Sequence, residues 1–170
     1  MDNRNPPPTN ENVRRSMRSN KGKGTRPELI VRQMLRELGY PGYRLNWKKA
    51  PGHPDIAYPG RRIAIFVNGC FWHHCPRCNL PMPKSHSDFW QTKIERNIQR
   101  DERKNRELTE AGWTVITIWE CELKKNCKGV ATRLLDVFRK RYCTQQYRNK
   151  KCYQTESTTF QAGIITITMP

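Results

Sequence analysis

Three cysteines, Cys70, Cys75 and Cys78, crowd into nine residues inside a stretch from Asn68 to Pro83 that is also dense in histidine and proline. Such a stretch is a loop, and a loop of that length needs more than local propensity to hold one shape. A fourth cysteine, Cys121, follows an apolar, β-branched run at Trp113 to Trp119. Three thiolates in a tight loop and one from a distant strand end suit a tetrahedral zinc site, closed to water and therefore structural. Ligation would supply the folding free energy that a small domain cannot find by burial. The competing reading is three reduced cysteines with His74 as a bystander, and His73 or His74 is able to take a ligand place. The first ten residues are polar and Pro-rich, unlike a secretory signal. No apolar run approaches the ~20 residues of a membrane span. The expectation is a soluble intracellular protein, in which clustered cysteines are metal ligands before they are disulfides. Cys127, Cys143 and Cys152 stand apart and receive no role.

The 170 residues suffice for one domain. Lys and Arg number 32 against 15 acids, a net charge of +17 that favours a polyanionic partner, because neutralising phosphates releases counterions. Hydrophobic residues make up only 35 %, which places the unpacked chain at the two ends. Residues 1–24 are expected to form a flexible basic arm, with Arg14, Arg15 and Arg18 beside Val13 and Met17 in a short helix. Residues 25–142 carry the main domain, and residues 143–170 form a tail that is poorly ordered or divergent, with a hint of a strand at Gly163 to Met169.

Within the domain the first helix is Arg26 to Leu38, with Leu29, Ile30, Met34, Leu35 and Leu38 on one face. Thr25 and Glu28 make a capping box, Pro27 sits in the first turn and Gly39 stops the helix. Three extended segments follow, Tyr43 to Trp47, Pro54 to Tyr58 and Arg61 to Val67, the last two joined by a Pro59-Gly60 turn. After the cysteine loop, Ser87 to Ala111 is helical, with Phe89, Trp90, Ile94, Ile98 and Leu108 on or near one face. Trp113 to Trp119 reads as a central strand buried on both faces, and Cys121 to Tyr142 as a second helical stretch with Val130, Leu134, Leu135, Val137 and Phe138. The sum is an α/β fold, a mixed sheet flanked by helices.

Several side chains point toward chemistry. Asp55 begins a strand after the turn Pro51-Gly52-His53-Pro54, where a carboxylate could meet a hard cation, although the Pro-Asp pair alone is an ordinary turn. His73 has the acidity of a general base and equally that of a ligand or supporting histidine. Asp101 shares the inward face of Ile94 and Ile98, and a carboxylate on an apolar face needs a partner. A histidine is a natural one, solvation at the edge of the face the competing explanation. Glu28 is accounted for by its capping box. Phe71 and Trp72, large and in a loop, need a core to enter or a partner to stack on, such as DNA bases; Trp90 reads as core.

Taken together, Pro51-Gly52-His53-Pro54-Asp55, Phe66-Val67-Asn68-Gly69-Cys70-Phe71-Trp72-His73, Phe89-Trp90, Arg96-Asn97-Ile98-Gln99-Arg100-Asp101 and Trp119-Glu120-Cys121 closely resemble the very-short-patch repair endonucleases. Their pattern runs PG-x-PD, F-x-x-GCFWH, a zinc loop, FW, a KN-x-x-RD-like helix and a WEC strand end. The resemblance covers about residues 11 to 140. It implies a restriction-endonuclease-like fold in a bacterial, cytoplasmic enzyme that nicks DNA on the 5′ side of the T in a T:G mismatch left by deamination of 5-methylcytosine. By position, Asp55 and the backbone carbonyl of Val67 would ligate Mg²⁺. His73 would activate water, oriented by Asp101, and Glu28 would support the metal waters. Phe71, Trp72 and Trp90 would intercalate beside the mismatch, Met17 would reach the opposite groove, and Cys70, Cys75, Cys78 and Cys121 would bind structural Zn²⁺. The pattern departs at Asn68, a DNA-side position where family members often carry a histidine near the metal. A monomer is expected, with other mismatch-repair proteins as candidate partners. Competing functions are a restriction-type nuclease on matched DNA and a zinc-stabilised DNA-binding module without catalysis.

Overall fold

A computed structural model describes residues 7–78 and 80–156, with side chains described as far as Arg141. The elements run α1 (Glu11–Ser19), α2 (Arg26–Glu37), β1 (Arg44–Leu45), β2 (Ile56–Tyr58), a 3₁₀ turn (Pro59–Arg61), β3 (Ile63–Asn68), α3 (Ser87–Glu110), β4 (Thr114–Trp119), α4 (Glu120–Lys125) and α5 (Cys127–Glu156). Four strands make one mixed sheet in the order β1-β2-β3-β4, which is the α/β class expected. The first three are antiparallel neighbours, while β3 and β4 are parallel, with Ile65 opposite Ile116 and Asn68 opposite Trp119. A parallel pair needs a crossover, and α3 supplies it.

Alternation along the strands sorts the core into two layers. Ile56, Tyr58, Ile63, Ile65, Ile116 and Ile118 face α2, α4 and α5, meeting Val31, Leu35, Leu123, Leu134 and Phe138. On the other face Ala64 and Phe66 pack with Ala50 and with Leu108 of α3. Phe138 is wholly buried, stacked on Tyr40 with ring centroids 4.1 Å apart and edge-on to Tyr58 at 4.7 Å.

Several elements differ from the sequence reading. The buried stripe of α2 is Glu28, Val31, Met34 and Leu35, whereas Leu29 and Ile30 are exposed at 52 % and 37 %. At 100° per residue the stripe through 28, 31 and 35 cannot also hold 29 and 30, and the capping pair Thr25–Glu28 fixes the rotation. The connection at Pro59-Gly60 is a 3₁₀ turn closed by Arg62 N–H donating to Pro59 O at 3.1 Å, with Arg62 in the left-handed region at φ 50°. Strand β4 lies at the edge of the sheet and is not buried on both faces: Ile116 and Ile118 are buried on one, while Val115 and Thr117 on the other are half-buried. Its free edge is met by α5, from which Arg133 donates to the Thr117 carbonyl at 3.2 Å and Arg141 to the Thr114 hydroxyl at 2.6 Å, so one edge carbonyl is taken up by the helix.

The stretch expected as one helix from Cys121 to Tyr142 is two, broken at Asn126, whose side chain accepts from Gly129 N–H at 2.8 Å and starts α5. Helix α5 then passes Tyr142 and ends at Glu156, so part of the segment without apolar periodicity is helical all the same. The suggested strand at Gly163 to Met169 and the first six residues lie outside the described ones. Helix α1 forms where the basic segment was expected and buries no residue.

Phe138→Ala should cost about 3–5 kcal/mol, because it removes a large ring from a closed layer. Urea unfolding followed by circular dichroism should show the lowered midpoint; an unchanged midpoint would mean that the layer under α5 contributes little.

Candidate active site

Strand direction gathers the singled-out residues at one end of the sheet. Because β2 runs against β3, its first residues lie beside the last residues of β3; because β4 runs with β3, it ends there too. Asp55, Asn68 and Trp119 therefore share an end, and the loop carrying Cys70 and His73 and the helix α4 carrying Cys121 leave from it. In α/β sheets the carboxyl ends of parallel strands are where ligands meet backbone and loops.

The turn before β2 sets Asp55. His53 is left-handed at φ 49° and Gly52 at φ +68°, a conformation natural to glycine and uncommon elsewhere. Asp55 Oδ2 accepts from the Val67 backbone N–H at 2.8 Å, which ties β2 to the end of β3. Burial pushes the Asp55 carboxyl up; the Val67 hydrogen bond opposes this, and the Glu28 carboxylate adds to the rise. Glu28 is 3 % exposed and fully engaged. Its carboxylate accepts from Gly24 N–H at 3.0 Å, from the Thr25 hydroxyl at 2.9 Å and from Arg32 Nη2 at 3.0 Å. Asp55 and Glu28 lie near enough for the charge of one to act on the other.

His73 and Asp101 meet directly. His73 N–H donates to Gly69 O at 3.2 Å, which folds the loop back over the end of β3. Its Nδ1 hydrogen-bonds Asp101 Oδ2 across 28 residues of sequence. Burial raises the Asp101 carboxyl, but the hydrogen bond and charge of His73, with Lys104 and Arg100, outweigh it and leave the group below its ordinary range. With Nδ1 committed to the carboxylate, Nε2 is the ring nitrogen left for chemistry. Asn68, 8 % exposed, lines a small cavity with Phe66, Asp101, Lys104, Asn105 and Thr117.

Phe71, Trp72 and Trp90 also come together. Their ring centroids lie 5.2, 5.4 and 5.8 Å apart, Phe89 joins Trp90 at 5.4 Å, and all four rings are half-buried. Trp90 thus belongs to a surface cluster and not to the core. Lys93 Nζ sits over the Trp72, Phe89 and Trp90 rings at 5.2–5.5 Å, and Asn97 Nδ2 donates to Trp72 O at 2.8 Å. Lys93 and Lys104 escaped the sequence reading, and Asn97 entered it only within the Arg96–Asp101 motif, without a role. The only signal of the two lysines was i, i+3 spacing from Trp90 and Asp101. Met17 lies on α1, outside the core that holds the others.

The four cysteines singled out converge, and no histidine joins them. Sγ atoms of Cys70, Cys75, Cys78 and Cys121 all lie within 4.8 Å of one another. The Cys75–Cys121 separation is 3.7 Å, against the roughly 3.8 Å edge of a tetrahedron with metal–sulfur bonds of about 2.3 Å. Burial pushes the Cys70 thiol up to about 12, a penalty that a bound cation reverses. The cluster is therefore able to hold a metal.

Comparison with known proteins agrees with this arrangement. Residues 8–80 match the model of the family described as DNA mismatch endonuclease Vsr. The chain is 47 % identical over 114 residues to the Type II nicking enzyme V.XorIIP of Xanthomonas oryzae pv. oryzae, covering 66 % of this chain and 82 % of that one. It is 33 % identical over 144 residues to the Type II nicking enzyme V.NmeDIP of Neisseria meningitidis serogroup C, covering 84 % and 97 %. Over 82 residues it is 39 % identical to the DNA mismatch endonuclease Vsr of Escherichia coli, covering 48 % and 53 %. Fold, site and relatives together define a DNA endonuclease. The chain belongs to the Vsr family.

Cobalt(II) titration tests the sulfur cluster, since tetrahedral thiolate coordination gives strong visible absorption. One equivalent should saturate the wild-type signal, and Cys75→Ala should abolish or greatly weaken it. An unchanged spectrum in that variant would remove Cys75 from the ligand set.

Proposed function

We propose that this endonuclease nicks one strand of duplex DNA on the 5′ side of the T in a T:G mismatch, and that its reaction depends on Mg²⁺. The observation that carries the reading is the His73–Asp101 pair beside an Asp55 held on the backbone of β3. Asp55 and the Val67 carbonyl would hold the Mg²⁺, with Glu28 supporting its waters. Bound there, the ion supplies Lewis-acid stabilisation of charge on the phosphate.

His73 takes a proton from the attacking water, and Asp101 keeps the ring in the tautomer that leaves Nε2 free to accept it. A bond forms from the water oxygen to phosphorus as the bond to the leaving sugar oxygen breaks. Phe71, Trp72 and Trp90 enter the base stack, where a mismatched step opens at less cost than a paired one. Met17, on a helix free of the core, reaches the duplex from the opposite groove, and Asn68 lies on the DNA side of the metal. The four cysteines hold structural Zn²⁺, which fixes the loop bearing His73 and the first two rings. The partner is mismatched double-stranded DNA, approached by a strongly basic chain.

End-labelled duplexes carrying T:G in several methylation-site contexts, with matched controls, test the substrate. A Mg²⁺-dependent nick confined to the T strand is expected. Cutting of both strands in matched DNA would transfer the enzyme to the restriction class. His73→Ala should lower the rate on the order of 10²–10⁴-fold and Asp55→Ala at least as much, with binding retained in both.

A further inference from the structure

Lys104 lies one turn beyond Asp101 on α3, and its Nζ is 3.7 Å from Asp101 Oδ1, the carboxylate oxygen that His73 does not use. Both side chains are mostly buried, 24 % and 21 % exposed, so this pair is less screened than one at the surface. The lysine stem is pinned. A Cβ built on Gly52 would fall 2.6 Å from Lys104 Cγ and 2.7 Å from its Cβ, so the stem lies directly on the backbone of the turn leading to Asp55. The ammonium sits 5.7 Å from the centre of the Phe66 ring, one residue before Val67. Its charge acts to lower the pKa of both Asp55 and Asp101. One side chain thus touches the Asp55 turn, the end of β3 and the carboxylate that orients His73.

We propose that Lys104 is a positioning residue for hydrolysis, holding Oδ1 of Asp101 so that Oδ2 stays directed at His73. The assignment rests on the reading of His73 as base and Asp101 as its orienter. A carboxylate anchored at one oxygen alone rotates about its Cβ–Cγ bond and carries the ring with it. Anchored at both, by an ammonium and an imidazole, it does not. Gly52 is part of the same device, because any side chain there would displace the stem.

The test uses the full chain on a T:G duplex with Mg²⁺, compared with Lys104→Met, which keeps the stem and removes the charge, and Lys104→Arg, which keeps the charge. Single-turnover nicking at saturating enzyme reads the chemical step, duplex affinity with Ca²⁺ in place of Mg²⁺ reads binding, and thermal unfolding reads the fold. Lys104→Met should slow the nick by roughly ten- to a hundredfold, the scale of a misplaced reacting group, with affinity changed less than about threefold. Lys104→Arg should recover most of the rate. Three results would overturn the proposal: an unchanged single-turnover rate in Lys104→Met, a loss carried entirely by affinity as for a phosphate contact, or no recovery with arginine at equal thermal stability. Asp101→Asn and His73→Ala are run beside them. Full activity in those two would overturn the reading of the site itself, whereas their inactivity with a fully active Lys104→Met would overturn only the role of the lysine.

Discussion

Four sulfur atoms drawn to within 4.8 Å of one another are a costly arrangement in an apolar setting unless a cation compensates them. The rest of the working end depends on that cluster. Cys70, Cys75 and Cys78 lie in the long connection between β3 and α3, and Cys121 lies at the start of α4. A metal joining them would fasten the loop across the ends of both parallel strands. His73 sits between two of these sulfurs in sequence, as do Phe71 and Trp72, so the residues proposed for catalysis and for DNA contact lie on the segment that the cysteines bracket. Among the described residues of this segment only Cys70 and Cys75 are buried, and the rest is held at the surface by the His73–Asp101 and Asn97–Trp72 hydrogen bonds and by ring contacts with Trp90.

The sheet supplies the second half of the frame. Asp55 and Val67 belong to antiparallel neighbours and are joined by a side chain-to-backbone hydrogen bond, while Asp101 comes from the crossover helix. Three separate pieces of chain meet on the one side that strand direction makes common to them. The acids are positioned by backbone geometry and the histidine by the cysteine loop, so a change in either frame shifts one against the other.

Much of this was legible before any coordinates. The capping box at Thr25 and Glu28, the stop at Gly39 and the apolar runs at Arg61 to Val67 and Trp113 to Trp119 are local signals, and the structure has elements there. The cysteine spacing singled out the four thiols that converge. What escaped was set by distant contacts. Periodicity placed Met34, Leu35 and Leu38 of the first helical stretch against the core and erred at Leu29 and Ile30, which are as apolar as the residues that the sheet covers. The apolar run of β4 suggested burial on both faces, whereas only Ile116 and Ile118 are buried, and it gave no information on whether a further strand pairs with it. Beyond its i, i+3 spacing from Asp101, Lys104 carried no signal, since a lysine on a basic helix differs from its neighbours only through Gly52 and Phe66, 52 and 38 residues earlier in the chain. Trp90 read as core because an amphipathic helix does not reveal which part of its apolar stripe overhangs the domain.

The aromatic cluster has a consequence for timing. Phe71, Trp72 and Trp90 rest against one another with Lys93 above them, while the Trp72 carbonyl is tied to Asn97. Rings already braced in this way have given up much of their rotamer freedom before any encounter, and that entropy is not lost again on association. On the proposed role of these rings as a wedge, they would meet every duplex in the same shape. The delay between encounters would then reside in the nucleic acid, in how long a given base step takes to part.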